Sequence, residues 1–174
     1  SLPLKMTEYK VSAVDKIGKE SFTSEPVFFM EPSAVKTVEM EEFAPAATLP
    51  YTGFSGKGFV EISTEANRRI ECKMTVDEGG AYFLNVHYSN GSGPWNTDNK
   101  CAIRSLTVNG DYAGVLVFPQ RGKDEWSDWG FSNYRIVQLK RGENTLVLSF
   151  EEWNNNMNVD VNRAMLDYIS VVKK

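Results

Sequence analysis

This chain of 174 residues has only one imidazole and two thiols, those of His87, Cys72 and Cys101. Together they cannot build a four-ligand zinc site without carboxylate help. Clustered cations are also missing: the net charge is −4 and Lys and Arg are scattered, which argues against nucleic acid, whose phosphates need massed positive charge. No apolar run approaches the ~20 residues of a membrane span, and no signal peptide opens the chain. Helix signals are nearly absent, as are internal repeats and low-complexity tracts. The segment GFSGK at 53–57 has Lys57 where a nucleophile elbow needs its second glycine, and Phe59 follows Gly58 where a phosphate loop needs lysine. The two thiols, Cys72 and Cys101, are either free or paired. Each sits in a strand-like run with no evident matching register, which favours free thiols, although sequence does not settle connectivity.

What the chain does have is short runs of period two. Ile70, Cys72, Met74 and Val76 alternate with Arg69, Glu71, Lys73 and Thr75; Tyr82, Leu84, Val86 and Tyr88 alternate with Phe83, Asn85 and His87. Further runs lie at 102–108, 113–118, 134–139, 145–150 and 166–172. Short alternating runs punctuated by turn residues predict an all-β antiparallel β-sandwich. Asn109-Gly110 predicts a tight hairpin turn, and Glu78-Gly79-Gly80 and Arg141-Gly142-Glu143-Asn144 read as further hairpin loops. The length suits one domain with a fragment of another.

The first 30 residues supply that fragment. Tyr9, Val11, Ala13, Asp15 and Gly18 match the last hairpin of a fibronectin type III domain, which this segment resembles. Two strands of a seven-stranded fold are marginal alone, so the chain reads as a slice of a longer multidomain protein. Residues 31–36 are the linker, and 37–174 the sandwich.

Three polar loops, at 88–101, 125–134 and 151–162, each carry tryptophan among Asn, Asp, Ser and Gly. An aromatic ring covers the C–H face of a pyranose while amides and carboxylates bond its hydroxyls. The bland alternative is that Trp126, Trp129 and Trp153 plug the corners of the sandwich. Three loops of one composition favour a binding site.

From Thr37 onward the ordered motifs VEMEE (38–42), GFSGKGFVEI (53–62), GGAYFLNVHYSNG (79–91), VNG (108–110), WSDWGFS (126–132) and LDYISV (166–171) resemble carbohydrate-binding modules of families 35 and 6. The resemblance implies a jelly-roll, galactose-binding-like sandwich and a structural Ca2+ on Glu39, Glu41 and Asp167. It implies a sugar site at Tyr51, Trp95, Trp126 and Trp129, with Asn156 and Asn158 or neighbouring asparagines bonding hydroxyls. The residues support the metal independently: Glu39 and Glu41 share a strand face, and Asp167 has the parity of apolar Met165, Ile169 and Val171. A carboxylate there is costly unless paired or metal-bound, and calcium takes several hard oxygens. Glu42 is the alternative ligand if the register slips. Asn156, Asn158 and Asp160 also echo the start of a calcium loop, but Val161 stands where that loop needs glycine.

Carboxylates at Asp124, Asp128, Glu151, Glu152 and Asp160 are enough in number for a glycosidase pair, yet none has the apolar wrapping that tunes an acid. His87 reads as solvent-facing. The expectation is therefore a non-catalytic module of a secreted, periplasmic or cell-surface glycoside hydrolase, its partners a glycan and a tethered catalytic domain. The alternatives are a protein-interaction or adhesion sandwich and, behind it, a glycosidase domain. A uronic acid ligand would need a cation at the loops, with Arg104, Arg121 and Arg163 available.

Overall fold

The alternation at 69–76 becomes a strand: Ile70, Cys72, Met74 and Val76 are buried while Arg69, Glu71, Lys73 and Thr75 face water. A computed structural model describes residues 6–22, 27–30, 34–92, 101–155 and 162–174. Its strands, numbered in chain order, are β1 (Met6–Tyr9), β2 (Val27–Met30), β3 (Val35–Glu39), β4 (Val60–Ile62), β5 (Arg69–Val76), β6 (Gly80–Ser89), β7 (Ala102–Val108), β8 (Asp111–Phe118), β9 (Trp129–Phe131), β10 (Arg135–Leu139), β11 (Gly142–Ser149) and β12 (Ala164–Lys173). One sheet runs β10-β6-β12-β3, with β4 also on β12 and β9 on β6; the other runs β5-β11-β7-β8. All described pairings are antiparallel. Tyr82, Leu84, Val86, Leu166 and Ile169 from the first sheet meet Ile70, Cys72, Met74, Leu106, Leu116, Leu146 and Leu148 from the second in one core. This is the expected β-sandwich.

The Asn109-Gly110 hairpin forms between β7 and β8 with positive φ at both residues, 53° and 96°. The other two turns are not hairpins. Glu78–Gly80 leads from β5 in one sheet to β6 in the other, and Arg141-Gly142 leads from β10 to β11, again across the sandwich. Local composition marks a reversal of direction without specifying the next strand's partner. The fixing of the second reversal is visible: Asn144 accepts from the Lys140 amide and donates to the Lys140 and Gly142 carbonyls.

In the first 30 residues β1 and β2 pair with each other, and a bridge joins Val14 to Glu20 around a turn. Asp15 Oδ1 accepts from the Ile17 and Lys19 amides, and Gly18 takes φ +82°. Val11, Val14, Ile17 and Phe22 are exposed. Cys72 and Cys101 are not disulfide-bonded, and burial pushes the Cys72 thiol up to about 12.

What positions the site is a pair of broken sheet edges. β3 pairs with β12 from Tyr168 onward, and β4 pairs with it only up to Leu166. Between them β12 bulges against β6, leaving Asp167 as the extra residue. A bulge re-aims a side chain, and here it aims a carboxylate at the gap between β3 and β4. On the far edge of β6, β9 and β10 sit end to end, β9 against His87–Ser89 and β10 against Gly80–Leu84.

Candidate functional site

The 17 residues between Glu42 and Val60 fill that gap and carry the site's first half. β3 ends at Glu39, and Met40–Glu42 form a 3-10 turn with Met40 buried beneath it. Glu41 is therefore not on a strand beside Glu39, as the pattern predicted. The turn winds because Phe43 and Ala44 both donate to the Met40 carbonyl, and it carries Glu41 over to the loop at 55–57. There Lys57 N donates to Glu41 Oε1 at 2.7 Å. Ser55 N donates to Asp167 Oδ1 and Oδ2 at 3.0 and 3.1 Å. The Ser55 hydroxyl lies 2.8 Å from Glu39 Oε2 and 3.1 Å from Asp167 Oδ1. Glu42 is exposed at the end of the turn.

Among the described residues no Lys or Arg forms an ion pair with Glu39, Glu41 or Asp167. Asp167 is 0% exposed, and the basic group beside it is His87, whose Nδ1 lies 2.7 Å from Asp167 Oδ2. Glu41 Oε2 is buried and without a hydrogen-bond partner. Burial raises the Glu39 carboxyl above its ordinary value; the Ser55 hydroxyl opposes this, and Asp167, Glu41 and Glu42 add repulsion. A carboxyl raised in the folded state opposes folding once pH passes its unfolded value and it must ionise. Acidic oxygens crowded without a cation are a hard-ligand donor set, the kind that suits calcium. As they stand, no three His, Cys, Asp or Glu side chains among the described residues come together closely enough to hold a metal; the Ser55 hydroxyl bridges Glu39 and Asp167.

Gly56 makes this cradle. Its φ is +63°, and a Cβ there would come within 2.4 Å of Glu41 Oε1 and 3.0 Å of Glu39 Oε2. Gly56→Ala is expected to cost about 1–2 kcal/mol from the left-handed backbone alone, plus displacement of Glu41. Urea denaturation checks it: an unmoved midpoint would mean that the loop does not pack on the carboxylates in this way.

The second half is aromatic. Tyr51 and Trp126 stack with centroids 5.7 Å apart and planes 12° apart. The Arg163 guanidinium lies 4.6 Å from the centre of the same indole and pairs with Glu61. Beneath them Phe59, almost wholly buried, contacts Tyr51, Phe54 and Trp129. Trp129 is tied inward: its indole N–H donates to the Thr52 carbonyl at 2.7 Å, and its ring meets Phe54, Phe59 and His87. Tyr51, Trp126 and Trp129 are each partly exposed.

His87 is not solvent-facing. Strand parity did point it away from the core, but Trp129, Phe131 and Tyr168 cover that face of the sheet, leaving its side chain 16% exposed. Arg104 is not available at the loops either: it is wholly buried, bonded to Asn162 Oδ1 and the Ile103 and Ser63 carbonyls. Burial, with Arg68 nearby, lowers it to about 10. Arg121 bonds Asp128. Arg163 alone of the three stands at the aromatic pair, and nothing in its local pattern set it apart from the other two.

The structure thus gathers Tyr51, Trp126 and Trp129 on one side of the 51–59 loop and Glu39, Glu41 and Asp167 on the other. Trp95, Asn156, Asn158 and Asp160 lie outside the described residues. Neighbouring asparagines serve the fold. Asn154 is buried and accepts from the Glu151 amide and Ser105 hydroxyl, and Asn162 ties Asn154 to Arg104. Trp153 is 68% exposed and its indole donates to Ser105 on β7, in the other sheet.

No protein-family model matches the chain. A cycloisomaltooligosaccharide glucanotransferase of Niallia circulans is 27% identical over 116 residues, 66% of this chain and 11% of that enzyme. The chain therefore spans about a tenth of that relative's length. A solved Paenibacillus cycloisomaltooligosaccharide glucanotransferase, complexed with cycloisomaltoheptaose, superposes with a TM-score of 0.61 and 26% identity over 79% of this chain and 18% of that one. A family 35 carbohydrate-binding module from Clostridium thermocellum superposes at 0.57 and 19% identity, over 80% of this chain and 98% of that module. The chain has the fold of a family 35 carbohydrate-binding module.

Proposed function

We infer that the sandwich is a non-catalytic carbohydrate-binding module of a glycoside hydrolase-type protein, and that the glycan lies against Tyr51 and Trp126. The observation that carries this is the partly exposed Tyr51–Trp126 stack at the broken sheet edge of a family 35 fold. Rings already fixed against each other offer apolar surface with little left to order on binding. Arg163 spreads one planar group of donors beside them, and its charge is already answered by Glu61. That pairing disfavours a uronic acid, whose carboxylate would meet Glu61, and favours a neutral saccharide. An isomalto-oligosaccharide is the first probe, since the glucanotransferase relative is solved with cycloisomaltoheptaose. Tethering would raise the effective concentration of a catalytic domain at its polymer. Such polymers lie outside the cytoplasm, so a secreted, periplasmic or cell-surface location goes with this reading.

Calcium belongs to the same proposal. Glu39, Glu41 and Asp167 would hold it once the Ser55 hydroxyl turns aside, and it would supply the positive charge these oxygens lack. The unpartnered Glu41 Oε2 and the wholly buried Asp167 support this. The exposed Val11, Val14, Ile17 and Phe22 support reading residues 1–30 as the last hairpin of a fibronectin type III-like domain, whose remaining strands would cover them.

The test is calorimetric titration with isomaltoheptaose and with a glucuronic acid disaccharide, alongside a reducing-sugar assay. Heat from the neutral sugar with no sugar released is the expected result. Released reducing ends would make the domain an enzyme, and preference for the uronic acid would overturn the assigned role of Glu61.

A further inference from the structure

Arg121 and Arg163 both reach the aromatic rim, and each meets a carboxylate. Arg121 lies against Gly130, where a Cβ would fall 2.2 Å from its Nη1. Its Nε and Nη2 donate to the Asp128 carbonyl and carboxylate at 3.2 and 3.1 Å. Arg163 lies over Trp126 itself, and its Nε donates to Glu61. The two pairs are built differently. Arg121 and Asp128 are seven residues apart, and the Asp128 carbonyl holds the guanidinium whatever the acid does. Glu61 comes from a distant strand. β4 sets it opposite Met165 on β12, which makes Arg163 its diagonal cross-strand neighbour. The turn after β4 fixes that strand end. Ser63 Oγ accepts from the Glu65 and Ala66 amides, and Asn67, at φ 45°, donates to the Glu61 carbonyl at 2.7 Å. The paired side chains are 30% exposed for Glu61 and 36% for Arg163. An ion pair this open adds little to stability; its main effect is on the charge met beside Trp126.

We propose that Glu61 is the specificity-determining residue of the rim: it cancels the charge of Arg163 beside Trp126 and so restricts the site to uncharged saccharides. This deepens the glycan reading above and rests on it. A guanidinium matches a carboxylate with two parallel N–H donors. With Glu61 in place, a sugar carboxylate arriving at Trp126 must displace Glu61 from Arg163 or sit beside a second negative charge. A hydroxyl is uncharged and meets no such repulsion. Removing the charge of Glu61 leaves the cation where it is, because the indole face still attracts it. The same rim then favours the opposite class of ligand, a uronic acid whose carboxylate pairs with Arg163.

Calorimetric titration of the full chain and its variants with isomaltoheptaose and with a glucuronic acid disaccharide tests this. The quantity read is the ratio of uronic to neutral affinity. Glu61→Gln is expected to raise it about tenfold or more, the margin between a charge-assisted hydrogen bond and a neutral one. The rise should shrink as salt is added, because the pair is open to solvent. It should vanish when Arg163→Gln is combined with Glu61→Gln. It should be absent in Asp128→Asn, which changes net charge equally but at Arg121. Urea midpoints establish that each variant is folded, and Glu61→Ala repeats the test if the glutamine variant is not. An unmoved ratio in folded Glu61→Gln, with isomaltoheptaose bound, would overturn the role of Glu61 and leave the glycan reading standing. A rise that persists without Arg163, or that Asp128→Asn matches, would overturn it too. No isomaltoheptaose bound by the unsubstituted chain would sink the glycan reading, and the inference with it.

Discussion

Trp126→Ala is expected to lose at least about 30-fold in affinity for isomaltoheptaose while remaining folded. The magnitude follows from the ~2 kcal/mol or more that a central aromatic anchor carries in an interface. Retention of the fold follows from its position. Trp126 lies at the rim, with Tyr51 and Arg163 on its ring, and its backbone carbonyl, which holds the Ser89 hydroxyl, is untouched by the substitution. Trp129→Ala is a different experiment. That ring packs on Phe54, buried Phe59 and His87 and anchors Thr52, so its loss should destabilise by about 2–3 kcal/mol, somewhat below the range for a fully buried aromatic. Calorimetry for affinity and urea denaturation for stability separate the two. If Trp126→Ala binds normally, the saccharide lies elsewhere on the sandwich.

Calcium should raise the melting temperature strongly. At a thousandfold excess over its dissociation constant, a ligand confined to the folded state adds about 4 kcal/mol. For a chain of this size that corresponds to a rise of about 8–16 °C. The gain is reinforced because the raised Glu39 carboxyl weakens the metal-free fold at neutral pH. Asp167→Asn should remove most of the rise, since Asp167 is the wholly buried member of the set. Differential scanning calorimetry with calcium and with chelator decides it. Identical melting temperatures would mean that the acidic cluster is held by Ser55, Lys57 and His87 alone.

Much of the strand framework was legible because burial writes itself into a period of two. Arg69–Val76 is the clear instance: each residue expected in the core is there. The Asn109-Gly110 turn was legible because both residues need positive φ, and both have it. The turns at Gly79 and Gly142 were misread because a reversal of direction looks the same within a sheet as between sheets. Glu41 was misplaced because period two was carried two residues past the end of β3, into a 3-10 turn. His87 was assigned its strand face correctly, yet parity says nothing of Trp129, Phe131 and Tyr168, which come from other parts of the chain to cover it. Asp167 was identified as anomalous from its apolar neighbours, and its burial agrees; the bulge that aims it left no mark in the residues. Ser55 went unremarked because its partner Asp167 lies 112 residues away, and Arg163 could not be told from Arg104 and Arg121 because its partner Glu61 lies 102 residues away.

The most direct measurement follows the indole N–H resonances of the chain's four tryptophans during titration with isomaltoheptaose in the presence of calcium. The Trp126 resonance is predicted to shift and saturate with the binding isotherm, Trp129 to follow weakly through Tyr51 and the loop it anchors, and Trp153 to stay still. A saturating shift at Trp153 with Trp126 unmoved would contradict the account.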